Sequence, residues 1–183
     1  MDWEFSVLDW IQTNCRCSFL DCAMSLMTKL GDGGVFWILV TLVMFFYRRT
    51  RKYAHVSAFA LLMCLGFGNL LLKPLIARVR PFDVQTAVDL LIDAPKDFSF
   101  PSGHTQASFA VTVSIFLWNK KIGVPALVIA ALVAFSRLYL YVHYPTDVLA
   151  GVLFGVTFAF LGNIIANNLF RGKKDWDGCE LRL

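Results

Sequence analysis

Three short stretches hold the side chains that could do chemistry. The first, 136–147, places Arg137 inside an apolar run and then His143 and Asp147 four residues apart at its end. An unpaired charge inside such a run is expensive, so Arg137 has a reason to be there. A cation, an imidazole and a carboxylate gathered at one turn between two apolar runs point to anion chemistry. Lys73 followed by Arg80-Pro81 forms the second stretch, and Pro101-Ser102-Gly103-His104 the third.

A phosphate group needs several positive donors from different elements, at least one of them a planar fork that binds two oxygens together. Lys73, Arg80 and Arg137 supply them. Ser102 is a good N-cap, and a helix opening there offers its free N–H groups and dipole to an anion, with Gly103 letting the backbone come close. Two histidines at one pocket allow a division of labour, one attacking phosphorus and the other protonating the leaving oxygen. His143 has a carboxylate orienter in Asp147, which leaves its other nitrogen free to attack. His104 is then the general acid. No histidine–carboxylate cluster beyond this set has metal spacing, and arginines repel a cation, so neither a metal nor another cofactor is expected.

The elements that position these residues are read from the apolar runs. Of the 183 residues, 57% are hydrophobic and only 16% charged, and the mean hydropathy is +0.61. This composition predicts one membrane-embedded domain over 1–183, with its core at about 33–170. The net charge of +4 sits in short clusters between apolar runs, where it sets topology, so no nucleic-acid partner is expected. An all-α polytopic bundle with five spans follows, over 35–47, 53–76, 102–118, 122–141 and 145–170. An N-terminal helical segment, 3–30, lies in the interface or crosses as a sixth. Basic clusters at 48–52, 120–121 and 171–174 mark the cytoplasmic ends. All three polar stretches therefore meet at the opposite, outer face. The loop 82–100 is read as surface, with a short amphipathic helix around 84–92 and with Phe98 and Phe100 seating its end on the membrane.

Several residues have plainer readings beside functional ones. Arg78 is a second phosphate contact or a snorkelling surface cation. Asn69 orients Lys73 or packs. Gly151 and Gly155 serve close helix packing within the monomer ahead of a dimer face, and sequence does not settle the oligomeric state. Tyr139, Tyr141 and Tyr144 form an interfacial aromatic belt. The five cysteines, without zinc-type spacing, are buried or interfacial thiols. Met1 to Asn14 lacks a basic n-region, so a cleaved signal peptide is not expected.

Taken together, Lys73 followed by six residues and then Arg80-Pro81, Pro101-Ser102-Gly103-His104, and Ser136-Arg137 followed by His143 and Asp147 resemble the three-part signature of the type 2 phosphatidic acid phosphatase superfamily. The vanadium haloperoxidases are related to it, and the resemblance covers about 33–162. It implies a metal-free phosphatase with a helical-bundle fold, six-spanning in its membrane members. His143 is implied as the nucleophile that forms a phosphohistidine, Asp147 as its partner, and His104 as the acid. Lys73, Arg80, Ser102, Gly103 and Arg137 are implied to hold the phosphate. The implied partner is a membrane lipid phosphate in a bacterial plasma membrane, by analogy undecaprenyl diphosphate. Phosphatidylglycerophosphate, diacylglycerol pyrophosphate and phosphatidic acid are the alternatives. A headgroup-binding transporter or flippase and a vanadate-dependent halogenating enzyme are the readings from other classes.

Overall fold

The computed structural model describes residues 2–171, and its regular structure is entirely helical. Lys173 and Lys174 of the third basic cluster, and Cys179, lie outside the described residues. Two N-terminal helices, α1 (Asp2–Cys15) and α2 (Ser18–Lys29), precede a turn at Asp32–Gly34 and α3 (Val35–Phe46). The next helical stretch is compound: α4 (Arg51–Met63) widens into a π-helix at Cys64–Leu72 and tightens again as α5 (Lys73–Ile76). One turn, α6 (Pro81–Val84), leads into an irregular loop. Then come α7 (Gly103–Trp118), α8 (Lys120–Tyr139) and α9 (Pro145–Leu169).

Among the described residues three helical stretches are long and apolar enough to cross a membrane, Arg51–Val84, Lys120–Tyr139 and Pro145–Leu169. The pair Ser18–Lys29 and Asp32–Phe46, bent by 42°, adds a fourth if it counts as one broken span. At about 1.5 Å per residue α3 is ~18 Å long and α7 ~24 Å, short of a hydrocarbon core of ~30 Å, so the expectation of five spans is met only in part.

α7 is the centre of the bundle and packs against α4, α8 and α9. Small residues let it: a Cβ at Gly151 would sit 2.9 Å from the Ser102 carbonyl oxygen, and one at Gly155 2.5 Å from that of Gln106. Both glycines thus serve packing within the monomer. The outward faces stay apolar, with Leu149, Leu153 and Ile164 of α9 exposed, as a lipid-facing surface requires. Chain direction puts the starts of α3, α7 and α9 at the end that carries the polar stretches. At the other end Phe45, His55 and Phe170 meet ring to ring, beside the basic cluster at 48–52.

The N-terminal helices pack on the polar end. Leu8 of α1 is buried with Tyr141 and Tyr144, while Trp3 and Trp10 on its other side stay exposed. Ile11 and Met24 are buried with Tyr139, Leu140 and Val142. Two sequence expectations are corrected here. No helix forms at 84–92 beyond the single turn Pro81–Val84, because Leu90, Leu91 and Ile92 turn inward onto the Leu140 and Val142 cluster instead of lining one helix face. Tyr139, Tyr141 and Tyr144 are no interfacial belt: each is at most 1% exposed. Tyr139 donates to Asp21 and Tyr141 to Asp9, so burial is reconciled with hydrogen bonding.

Candidate active site

The site is assembled at the polar end from four separate pieces of chain. The first comes from α5 and the connecting segment after it. The π-helix is locked to α7 by Gln106, which donates to the Cys64 carbonyl oxygen at 3.3 Å and to Asn69 Oδ1 at 2.9 Å. Asn69 is thereby engaged with α7, and no direct bond from it orients Lys73. Ala77, in the left-handed region at φ 46°, ends α5 with its N–H on the Lys73 carbonyl oxygen. Residues 77–80 belong to no regular element, and along them Arg78 and Arg80 reach different partners.

Arg80 is 3% exposed. Its Nε donates to the Asp97 carbonyl oxygen at 2.8 Å and its Nη2 to Asp97 Oδ1 at 2.6 Å. Nη1 donates to the Val142 carbonyl oxygen at 2.6 Å and lies 3.3 Å from His143 Nε2. A guanidinium has no acceptor, so the ring nitrogen facing it carries the lone pair. The His143 proton is therefore assigned to Nδ1, which lies 3.5 Å from Asp147 Oδ2. That separation is an electrostatic contact and longer than a hydrogen bond. Burial, then the charges of Arg80, Arg137 and Lys73 and the His104 ring, hold the His143 pKa well below 6.5. At neutral pH the imidazole is uncharged, with its lone pair turned toward the cations.

Asp147 sits at the start of α9, wholly buried. Its Oδ2 accepts from Ser99 Oγ at 2.5 Å and from the Tyr144 N–H at 2.9 Å, and its Oδ1 from Arg78 Nη1 at 2.5 Å. Arg78 also donates to Glu4 Oε2 at 2.6 Å and Thr146 Oγ1 at 2.7 Å, with its guanidinium 3.9 Å from the centre of the Tyr144 ring. The reading of Arg78 as a snorkelling cation is therefore corrected. It ties α1 to α9 behind the site, because two carboxylates bury their charge against it.

The third piece is the start of α7. Ser102 is fully buried and uses its hydroxyl on Thr105, whose N–H lies 3.5 Å and whose Oγ1 lies 2.9 Å away. His104 Nε2 lies 2.9 Å from Asp32 Oδ1. The fourth piece is α8, where Arg137, 1% exposed, donates from Nη1 to Thr28 Oγ1. Lys73 pairs with Asp97 Oδ2.

Of the expected site residues, Lys73, Arg80, Gly103, His104, Arg137 and His143 line one cavity of about 800 Å³. Ser102 and Asp147 stand behind it. A second cavity, of about 430 Å³, shares Lys73, Asp97, Gly103 and His104 with the first and continues between Leu42, Phe45 and Leu62 of α3 and α4. Sequence reasoning missed Asp32, Asp97 and Thr28, the partners of His104, of Lys73 and Arg80, and of Arg137. The only local signal was at Asp32, a carboxylate within a glycine-rich break. Among the described residues no group of three histidines, cysteines or carboxylates is arranged to hold a metal ion.

An all-helical membrane bundle with two histidines and three cations around one cavity at its polar end is the design of a membrane-embedded phosphatase. The chain matches the PAP2 superfamily over residues 54–171 and belongs to it. It is 34% identical to an undecaprenyl-diphosphatase of Sulfolobus acidocaldarius, over 78% of this chain and 68% of that protein. It is 33% identical to the undecaprenyl-diphosphatase BcrC of Bacillus subtilis, over 79% of this chain and 74% of that protein. Phosphatidylglycerophosphatase B of Bacillus subtilis is 36% identical, over 80% and 75%. Among solved structures, a transmembrane PAP2-type phosphatidylglycerolphosphate phosphatase from Bacillus subtilis superposes with a TM-score of 0.75 at 27% identity, covering 94% of this chain and 88% of that one.

Proposed function

We propose that this chain hydrolyses undecaprenyl diphosphate to undecaprenyl phosphate and inorganic phosphate, at the outer leaflet of a bacterial plasma membrane and through a phosphohistidine. One observation carries the reading: six residues from three separate stretches of chain line one cavity, and that cavity opens into an apolar groove between α3 and α4. The polar part suits a phosphate end group and the groove an isoprenoid or acyl tail. The relatives named for undecaprenyl diphosphate support the substrate.

In this reading the lone pair of His143 Nε2 attacks the terminal phosphorus and the bond to the leaving oxygen breaks. His104, held beside Asp32, gives a proton to that oxygen. Water then attacks the phosphohistidine, loses a proton to His104, and frees phosphate as the P–N bond breaks. Lys73, Arg80 and Arg137 hold the equatorial oxygens, and Ser102 acts through the helix start that it caps. The cationic lining supplies the charge stabilisation that a metal would otherwise give. Outward orientation is supported by the basic clusters at 48–52 and 120–121, which lie at the other end. With α3 and α7 counted as short spans the bundle has five, and residues 1–183 form one phosphatase domain.

The test is phosphate release by the detergent-purified chain with a chelator present. Undecaprenyl diphosphate, phosphatidylglycerophosphate and phosphatidic acid are compared, with His143→Ala as blank. The expected outcome is preference for undecaprenyl diphosphate and a loss of about 10³-fold or more in the blank. Preference for phosphatidylglycerophosphate, the substrate that the 36% identical relative's name points to, would move the chain to phospholipid metabolism. Saturable lipid binding without release from any substrate would favour a transporter.

A further inference from the structure

The cations that are to bind phosphate are already engaged by a carboxylate that the mechanism does not use. Asp97 gives Oδ2 to Lys73 and Oδ1 to Arg80 Nη2, at 2.6 Å for the second pair. The exposures are lopsided: the side chains of Lys73 and Arg80 are 9% and 3% exposed, that of Asp97 56%. The two cations are fixed in the wall, and the anion is reached from solvent. Asp97 borders both the polar cavity and the apolar groove.

The backbone around Asp97 is tied down independently of its carboxylate. Its carbonyl oxygen accepts from Arg80 Nε at 2.8 Å. Two residues on, the Ser99 N–H donates to the Arg78 carbonyl oxygen at 2.8 Å and its hydroxyl to Asp147 at 2.5 Å. The carboxylate can therefore leave the cations by side-chain rotation into solvent, with no loop movement. A bound phosphate needs the same N–H donors, and two anions cannot share them without strong repulsion.

We propose that Asp97 is a built-in competitor for the phosphate site. Its carboxylate holds Lys73 and Arg80 between turnovers, turns outward when a terminal phosphate enters, and returns to displace the inorganic phosphate product. Burial opposes the Asp97 charge, but the hydrogen bond and charge of Lys73 and the charge of Arg80 outweigh it and hold the carboxyl at about 2, so the competitor is charged at every working pH. A single carboxylate is outcompeted by an end group carrying close to two charges and not by a singly charged phosphodiester. Asp97 thereby also selects terminal phosphates over the headgroups of bulk phospholipids.

The inference rests on Lys73 and Arg80 being the phosphate-binding cations, and its test reads phosphate binding directly. Inorganic phosphate is titrated by calorimetry into the detergent-purified full chain and into Asp97→Asn and Asp97→Glu. If Asp97 occupies the cations in nine molecules of ten, its release costs the native chain about tenfold in apparent affinity. Asp97→Asn is expected to bind phosphate about tenfold more tightly, and Asp97→Glu to stay close to native. Dimethyl phosphate, a singly charged diester, is expected to bind measurably only to Asp97→Asn. Unchanged or weaker phosphate binding in Asp97→Asn would show that Asp97 merely holds the cations in place and would overturn the proposal. Equal tightening in Asp97→Glu, or no phosphate binding by any of the three, overturns it as well. Phosphate release from lipid by the native chain, measured in parallel, reports on the proposed activity alone.

Discussion

Arg78 and Arg80 stand two residues apart on one connecting segment and do opposite things. Arg78 faces α1 and α9, where Glu4 and Asp147 both neutralise it and Tyr144 stacks beneath it. Both carboxylates are buried, so the arrangement is closed and permanent. Arg80 faces the cavity, where its fixed partners are three carbonyl oxygens and the His143 ring, and its one carboxylate, Asp97, is exposed. Positive charge therefore remains available on the Arg80 side and is spent on the Arg78 side. Charge balance tells the two apart: the residue type is the same, and the count of buried counter-ions separates scaffold from site.

Exchanging the losses of the two arginines is the strongest way to break this comparison. Arg78→Ala leaves the Glu4 and Asp147 carboxylates buried without a cation, a change expected to cost about 3–5 kcal/mol of stability. Arg80→Ala removes a donor that faces the reacting group and is expected to lower turnover by about 10²–10³-fold. Its stability cost is smaller, about 1–3 kcal/mol, because the carboxylate it releases is solvent-exposed. Melting temperature and phosphate release, measured on both variants, should rank them in opposite orders. The same order in both assays would mean that the two arginines are not functionally separate.

Arg137 sharpens the comparison at a smaller scale. It is 1% exposed, its Nη1 donates to Thr28 Oγ1, and its Nε has no hydrogen-bond partner among the described residues. Thr28→Val keeps the volume of the side chain and removes the acceptor. The expected effect is about tenfold weaker phosphate inhibition and a rise in KM larger than the fall in kcat. This is opposite in sign to the effect expected for Asp97→Asn. Unaltered inhibition would show that α8 packing alone aims the guanidinium.

The parts of the site that could be read from sequence are those whose signal is local. Ser102 before Gly103 announces a helix start, Pro145 with Asp147 another, and Arg137 stands out because a charge in an apolar run is rare. The helices α3, α8 and α9 follow from apolar length for the same reason. Long-range pairing stayed hidden: Arg137 meets Thr28 across 109 residues and Lys73 meets Asp97 across 24. Hydrophobic periodicity reports which face of a helix is apolar and is silent on which polar groups find each other. It accordingly placed the three tyrosines in a membrane belt, when the carboxylates of Asp9 on α1 and Asp21 on α2 draw two of them inward. The π-helix at Cys64–Leu72 was invisible for a related reason, since Gln106, on another helix, bonds to the Cys64 carbonyl oxygen within it.

The smallest expected effect is a displacement of the acid limb of activity. His143 is faced by Arg80 from the segment after α5, Lys73 from α5, His104 from α7, Arg137 from α8 and the Asp147 carboxylate from α9. Burial and the positive neighbours outweigh that carboxylate, so the ring stays neutral below 6.5. Protonation consumes the lone pair that attacks phosphorus, so kcat/KM should fall as pH drops through a value below 6.5. The sign for stability follows by linkage. In the unfolded chain His143 takes up its proton near 6.5 while the native ring does not, so this group makes the fold less stable as pH falls from 6.5 through the lowered native value. Arg80→Gln removes one of the charges that lower the pKa and should bring the limb of the residual activity up toward 6.5. Arg80→Lys keeps the charge and should leave the limb lower. A native limb at or above 6.5, or one indifferent to the charge at position 80, would mean that Arg80 serves phosphate binding alone and does not keep the nucleophile neutral.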